Sequence, residues 1–332
     1  MKTTTKTNLT KTPARFHCLH AIAAAGLLLG EMGAATSRAD ILYVSLAHTH
    51  RVATFPAPGG GVGTFFTNSG SLFTPQGLAF DSANYLYVAD SLHMSVQKFG
   101  AGGGVGLTYA TVGAPTGLAF DSAGSLYVAN SSTIMKFTAG VVGGGGIGSV
   151  FANTGLGGTQ GLAFDSADNL YAANSGNGTI VRFTPGGVGS VFATGLVSPQ
   201  GLAFDSAGNL YVADKITSTI ERFTPGGVGS VYAFTGLSQP VGLAFDSAGE
   251  LYAANSGNDT IVRFTPGVVG GGAIGTFFAS AVAGDPMYLA FTDDAGVPLP
   301  LANQVVPEPA SALLLLGPGA MLLLRRRRAA AL

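Results

Sequence analysis

The amino-acid sequence predicts an all-β chain, a six-bladed β-propeller of four-stranded antiparallel blades whose ring is closed by N-terminal strands pairing with the last inner strand. Three observations predict it. The first is a repeat. Gly201–Asp214 (GLAFDSAGNLYVAD) recurs at Gly77–Asp90, Gly117–Asn130, Gly161–Asn174 and Gly242–Asn255, with starts 40, 44, 40 and 41 residues apart. A fixed period in that range marks stacked supersecondary units. The second is composition: short apolar runs bearing Tyr, Val, Phe and Ile alternate with Gly, Pro, Asn and Asp, as strands alternate with turns. The third is a pair of half-copies. Asp40–Ser45 (DILYVS) carries only the second half of the unit and Tyr288–Asp294 (YLAFTDD) only the first. Joined, they complete a sixth blade and leave no open sheet edge.

Within one unit each element has a local cause. In Gly201–Phe204, Leu202 and Phe204 alternate with Gly201 and Ala203, the period of a strand. Asp205–Gly208 is a turn in which Asp accepts backbone hydrogen bonds and Gly ends the reversal. Asn209–Ala213 is the second strand, Asp214–Ser218 a polar loop and Thr219–Phe223 the third strand. Thr224-Pro225-Gly226-Gly227 turns the chain into a fourth, Gly229–Phe234. The same third-to-fourth turn is short at Thr184–Gly187 but long at Thr138–Gly146 and Thr265–Gly272, which accounts for the uneven spacing. In the closing blade, Ile41–Ser45, Arg51–Phe55 and Gly63–Phe66 are the expected strands, with Tyr288–Phe291 as the innermost.

The two ends read differently. Residues 1–39 have a basic front (Lys2, Lys6, Lys11, Arg15), an apolar stretch at Ala21–Leu29 and a small-x-Ala cleavage site at Ser37-Arg38-Ala39, the pattern of a Sec-type signal peptide. The propeller is expected over residues 40–296, a linker over 297–305 and a C-terminal tail over 306–328. That tail holds a Val306-Pro307-Glu308-Pro309 box, an apolar stretch Ala310–Leu324 and a basic cluster Arg325, Arg326, Arg327 and Arg328. The apolar stretch is short for a transmembrane helix, and the arginines after it would stay cytoplasmic, leaving the propeller outside. In this order the three parts resemble the PEP-CTERM sorting signal. The resemblance implies an exosortase-type processing protease as partner and membrane attachment through the tail before processing. It also implies delivery to the cell surface, outer membrane or extracellular matrix of a Gram-negative bacterium.

Between Asp40 and Val306 there are seven Lys or Arg against fifteen Asp or Glu, a net of −8, so nucleic acid is excluded as a partner. The one cysteine, Cys18, lies in the leader, which excludes disulfides, thiol chemistry and thiolate metal sites from the mature domain. Glycine strings such as Gly143–Gly146 lack the Gly-Lys-Ser/Thr ending and the following helix of a phosphate loop.

The repeat itself resembles the NHL repeat, P-x-G-[IL]-A-x-D-x-x-G-N-[IL]-Y-V-A-D. Pro199-Gln200-Gly201-Leu202-Ala203, Asp205, Gly208–Asp214 and Phe223 carry the likeness, which runs through all five full copies. Related six-bladed propellers of the senescence-marker/gluconolactonase family hydrolyse lactones at a divalent cation on the central axis. The positions that would meet that axis here are Gln76, Thr116, Gln160, Gln200, Val241 and Met287, none of them a charged ligand for a hard cation. Gln76, Thr116, Gln160 and Gln200 are instead read as a candidate binding-face rim, and no cofactor is expected. Asp90, Asn130, Asn174, Asp214 and Asn255 recur once per copy and are read as strand-ending residues bonded to the following turn. Asp81, Asp121, Asp165, Asp205 and Asp246 are read the same way at the opposite rim. Lys98, Lys136, Arg182, Arg222 and Arg263 recur before the third-strand Phe, as a salt bridge or a solvated edge.

Only His48, His50 and His93 break the repeat symmetry; all three fall in second-to-third-strand loops of adjacent blades and are the weak metal candidates. The function expected is an exported binding scaffold, not an enzyme, whose loop face engages a protein, glycan or polymer. The alternative is a metal-dependent lactonase or lyase centred on the histidine loops, and a third reading is a passive matrix filler.

Overall fold

The computed structural model describes residues 40–138, 148–265, 272–280 and 284–292. The signal-like leader and the tail with its Pro-Glu-Pro box and arginines lie outside the described residues. No helix among the described residues is long and apolar enough to cross a membrane.

Six sheets form the ring, each an antiparallel meander of at least four strands. Blade one runs Pro75–Phe80, Leu86–Asp90, Ser95–Phe99 and Leu107–Thr111, and blades two to four repeat that order to Thr235. Blade five is Pro240–Phe245, Leu251–Asn255, Thr260–Phe264 and Thr276–Ser280. The closing blade takes its innermost strand, Pro286–Thr292, from the far end of the chain and pairs it antiparallel with Ile41–Leu46. Arg51–Pro56 and Thr64–Phe65 complete that blade. Both half-copies therefore meet as the sequence requires. The fourth strand there is only Thr64–Phe65, shorter than the expected Gly63–Phe66.

Outside blade two, whose inner strand is Leu118–Phe120, inner strands begin two residues earlier than the repeat suggests. Pro199 already pairs with Asp214, and a bulge then separates it from the Leu202–Val212 pair. The same bulge stands in blades one, three and five. The inner-strand Gly lies close to the next blade, where the Gly77 N–H donates to Thr116 O at 2.8 Å. Tyr288 takes that position in the closing blade and is buried in one cluster with Val241, Met287 and Leu78.

Seams between blades are aromatic. The second-strand tyrosine of each blade meets an outer-strand ring of its own blade and the inner-strand Phe of the next. Tyr171, for example, lies 5.0 Å edge-on from both Phe192 and Phe204. Tyr43, Tyr87, Tyr127, Tyr211 and Tyr252 repeat the arrangement. Each edge-to-face pair adds about 0.5–1.5 kcal/mol beyond the area it buries, so the relay ties every blade to its neighbour.

The recurring aspartates do what the sequence predicts at the first turn. Asp205 Oδ1 accepts the Ala207 and Asn209 N–H groups, and Asp165 accepts those of Ala167 and Asn169. The second oxygen takes the tyrosine hydroxyl, as Asp205 does from Tyr211 at 3.3 Å. Burial, with Asp205 adding to it, pushes the Tyr211 hydroxyl up to about 12. The cationic position closes the same corner through Lys98–Asp81 at 3.3 Å, Lys136–Asp121 at 3.2 Å and Arg263–Glu250 at 3.2 Å. Asp168 replaces the turn glycine and reaches across the seam to the Ser122 N–H at 3.0 Å and to its hydroxyl, a staple between blades two and three.

Candidate functional site

The rim that carries the second-to-third-strand loops is held by the residue that ends each second strand, and blade one departs from the pattern with two histidines. In blade four, Asp214 sits buried at the end of the second strand and accepts two amides of the loop leading into the inner strand. Val197 N–H donates to Oδ2 at 2.7 Å and Ser198 N–H to Oδ1 at 3.0 Å, which uses both oxygens. Asn174 and Asn255 use one amide to hold the matching loops, donating to Gly155 O and Gly236 O at 2.9 Å. Asn130 bonds the following turn instead, through the Thr133 N–H at 2.8 Å. The partner in blades one, three, four and five is thus the preceding inter-blade loop, which the repeat alone does not reveal.

Blade one departs from blade four at a single amide. Asp90 Oδ1 accepts the Phe73 N–H at 2.9 Å, the counterpart of the Val197 bond. The Thr74 N–H, counterpart of Ser198, goes instead to His50 Nδ1 of the closing blade at 3.2 Å. Asp90 Oδ2 is thereby released, and His93 Nδ1 takes it at 2.7 Å. The carboxylate is fully buried, whereas the His93 side chain is about half exposed, at 49%. Phe73 lies between the two imidazoles. Its ring stacks on His50 at 4.4 Å with a 7° interplanar angle and meets His93 at 5.6 Å.

These bonds set the tautomers. A carboxylate only accepts, so His93 carries a proton on Nδ1, and in the neutral ring Nε2 is the acceptor. Nδ1 of His50 accepts the Thr74 amide, so its ring proton is on Nε2, which is a donor. One imidazole offers an acceptor and the other a donor, side by side around an aromatic ring. Phe73, Leu92 and Met94 add exposed apolar surface. His50, Thr74 and Met94 all hold positive φ, at 57°, 64° and 52°, a strained backbone that the network around them sustains.

His48 stands apart from this arrangement. It is exposed and lies 4.0 Å from Asp285, whose carboxyl is pushed up by burial. The axial positions are occupied by blade packing. Thr116 Oγ1 donates to Thr159 O at 2.9 Å, Gln200 is buried with its amide on Ser198 Oγ at 3.1 Å, and Val241 is fully buried. Gln76 and Gln160 are half-buried. The divalent cation implied by the lactonase resemblance does not fit these side chains, since a hard cation takes several anionic or carbonyl oxygens. Nor does any group of three His, Cys, Asp or Glu among the described residues converge on a point. His50 cannot ligate through Nε2 while Nδ1 accepts the Thr74 amide, because the neutral ring has only one lone pair to give.

Solved structures share this ring. A chain of a nidogen/laminin complex superposes with a TM-score of 0.66 at 20% identity, covering 77% of this chain and 99% of that one. A streptogramin B lyase follows at 0.58 and 16% identity, over 76% of this chain and 86% of its own. A catalytically inactive virginiamycin B lyase from Staphylococcus aureus, solved with quinupristin, gives 0.57 at 15% identity over 79% and 94%. At these identities the likeness is one of fold. No family model matches the sequence, and no curated protein matches it. The neighbours include both a binding assembly and lyases, so chemistry has to be argued from the side chains.

Proposed function

We propose that this protein is an exported NHL-like propeller that binds a ligand of the cell surface or extracellular matrix. The ligand would be a protein, glycan or polymer, and it would dock at the rim formed by His50, Phe73 and His93. One observation carries the reading: a rim otherwise built from closed hydrogen bonds opens at one place, where two imidazoles and an aromatic ring face outward. A binding site has to be asymmetric on a symmetric scaffold, and this is where the asymmetry is. Export rests on the signal-like leader, and sorting on the resemblance of the tail to a PEP-CTERM signal handled by an exosortase-type protease.

The test is co-sedimentation of the purified protein with isolated cell-envelope polymer. Replacing His50 and His93 together by alanine is expected to weaken binding about tenfold or more, which equals about 1.4 kcal/mol. Ser132→Ala, in the corresponding loop of blade two, should bind as the parent does. Equal binding by the double variant and the parent sinks the assignment of the site.

A second reading, a metal-dependent lactonase or lyase, draws on the Asp90–His93 pair, since a buried carboxylate on Nδ1 is how a general base is oriented. Against it stands the missing oxygen ligand set. Mass spectrometry of the purified protein is expected to find metal well below one equivalent, with a melting temperature unchanged by chelator. A stoichiometric ion lost together with stability would revive this reading.

A further inference from the structure

The length of one turn decides whether the groove between two blades is filled. Between blades four and five, Ala273–Ile274 comes off the long turn and adds itself in parallel to the free edge of Gly229–Thr235. Ala233 faces Ala273, and Thr235 Oγ1 donates to Ala273 O at 3.3 Å. Ala273 is buried in the cluster of Tyr232 and Phe264. Thr67 bridges Gly104 in the same parallel sense between the closing blade and blade one.

Between blades three and four the turn Thr224–Gly227 is short; its Gly227 packs against the Phe192 carbonyl, and no described strand pairs with the edge of Gly189–Ala193. A groove of about 670 Å³ remains there, with Val191, Phe192, Leu196, Phe223 and Val231 on its walls beside the polar Asp214, Thr217 and Ser230. Glu221 stands in it. The matching third-strand position is Gln97 in blade one, Met135 in blade two, Val181 in blade three and Val262 in blade five, so only blade four places a charge there among these blades. Its carboxylate accepts from Thr219 Oγ1 at 3.2 Å, and no ion pair holds it among the described residues. Burial, then Asp214, pushes its carboxyl above the ordinary range. A half-buried carboxylate that shares its groove with a second one, Asp214, is costly unless a cation meets it.

We propose that this groove binds an extended segment of a partner protein, laid along the edge of Gly189–Ala193 with a lysine side chain against Glu221. Ala273–Ile274 in the next groove shows the kind of occupant the edge accepts, main-chain pairing with small side chains turned inward. The long stem of lysine matches the apolar walls and its ammonium the carboxylate. A domain with a net charge of −8 draws basic segments and repels acidic ones. This site lies on the flank of blades three and four and is independent of the histidine rim.

The probe is a fluorescein-labelled Thr-Val-Lys-Val-Thr peptide, read by anisotropy against the full chain, beside the same peptide with norleucine for lysine. Saturable binding of the lysine peptide is expected, falling about tenfold or more with Glu221→Gln, while the norleucine peptide binds weakly to both proteins. Glu221→Lys should restore binding to a peptide with glutamate in the central position. Equal binding to the parent and E221Q, equal binding of the two peptides, or no saturation at millimolar peptide each overturns the proposal. The fold of E221Q is checked in the same samples. Because the Glu221 carboxyl is raised in the folded state, its ionised form costs stability once pH rises through that raised value. E221Q should therefore melt at or above the parent at pH ~7, and the gap should close as pH falls below about 4.3.

Discussion

Gly161→Ala is expected to cost this protein most of its stability, although it adds one methyl group. A Cβ at Gly161 would fall inside contact distance of Gln200 O and lie 3.1 Å from Gly201 Cα, both of them backbone in the next inner strand. Backbone at a seam cannot rotate away as a side chain would, so blades three and four must separate. The same holds at Gly77, Gly117, Gly201 and Gly242 against Thr116, Gln160, Val241 and Met287. None of these glycines has a positive φ, so the constraint is close approach and not turn geometry. Overpacking in a core that can relax costs about 1–3 kcal/mol. A rigid backbone neighbour should push the loss above that range, against a total of about 5–15 kcal/mol for a folded domain. The control is Gly186→Ala, on an exposed turn with nothing nearer than Thr184 Oγ1 at 3.9 Å. Chemical denaturation should show the control within about 0.5 kcal/mol of the parent. A Gly161→Ala protein that unfolds at the parent midpoint would show that the seam is softer than its geometry.

Much of this architecture is legible in the sequence because each repeat states it again. Gly-Leu-Ala-Phe gives the inner strand its small and large sides, Asp-Ser-Ala-Gly its turn, and the two half-copies give the closure. The inner-strand bulge is not legible, since it inserts no residue between copies, and blade two lacks it although its repeat reads like the others. The tyrosine relay is half legible: the rings recur, but their partners come from a neighbouring blade that a single unit cannot name. At the candidate site, the histidines stood out as the residues that break the repeat, whereas Phe73 and Asp90 did not. Asp90 looks like every other strand-ending residue, and only the diversion of the Thr74 amide to His50 frees its second oxygen. That diversion depends on the closing blade lying beside blade one, a contact between residues that no local pattern connects. Neither Glu221 nor its groove stands out in the sequence, because a strand register and a turn length matter only once the blades are side by side.

Ending the chain at Asp285, before the innermost strand of the closing blade, is expected to remove the folded monomer altogether. That strand pairs with Ile41–Leu46 along its length and buries Tyr288, Leu289 and Phe291. Each large apolar side chain taken from water contributes about 1.5–3 kcal/mol, so three of them approach the stability of a whole domain. The polar loss adds to this. The buried Ser45 hydroxyl accepts the Tyr288 N–H at 2.9 Å, and without that strand its only such partner is gone. Two edges would then lie open, the flank of Ile41–Leu46 and the seam against blade five, and open edges recruit other chains. Size-exclusion chromatography should find aggregates or strand-exchanged oligomers in place of monomer, while a chain ending at Asp294 keeps the strand and stays monomeric. A synthetic peptide spanning Asp285–Asp294 should recover part of the monomer when added during refolding, since it supplies the missing inner strand in trans. A monomer that melts at the parent temperature without the strand would mean that five blades suffice. The pairing of the two chain ends would then be an ornament of the ring and not what closes it.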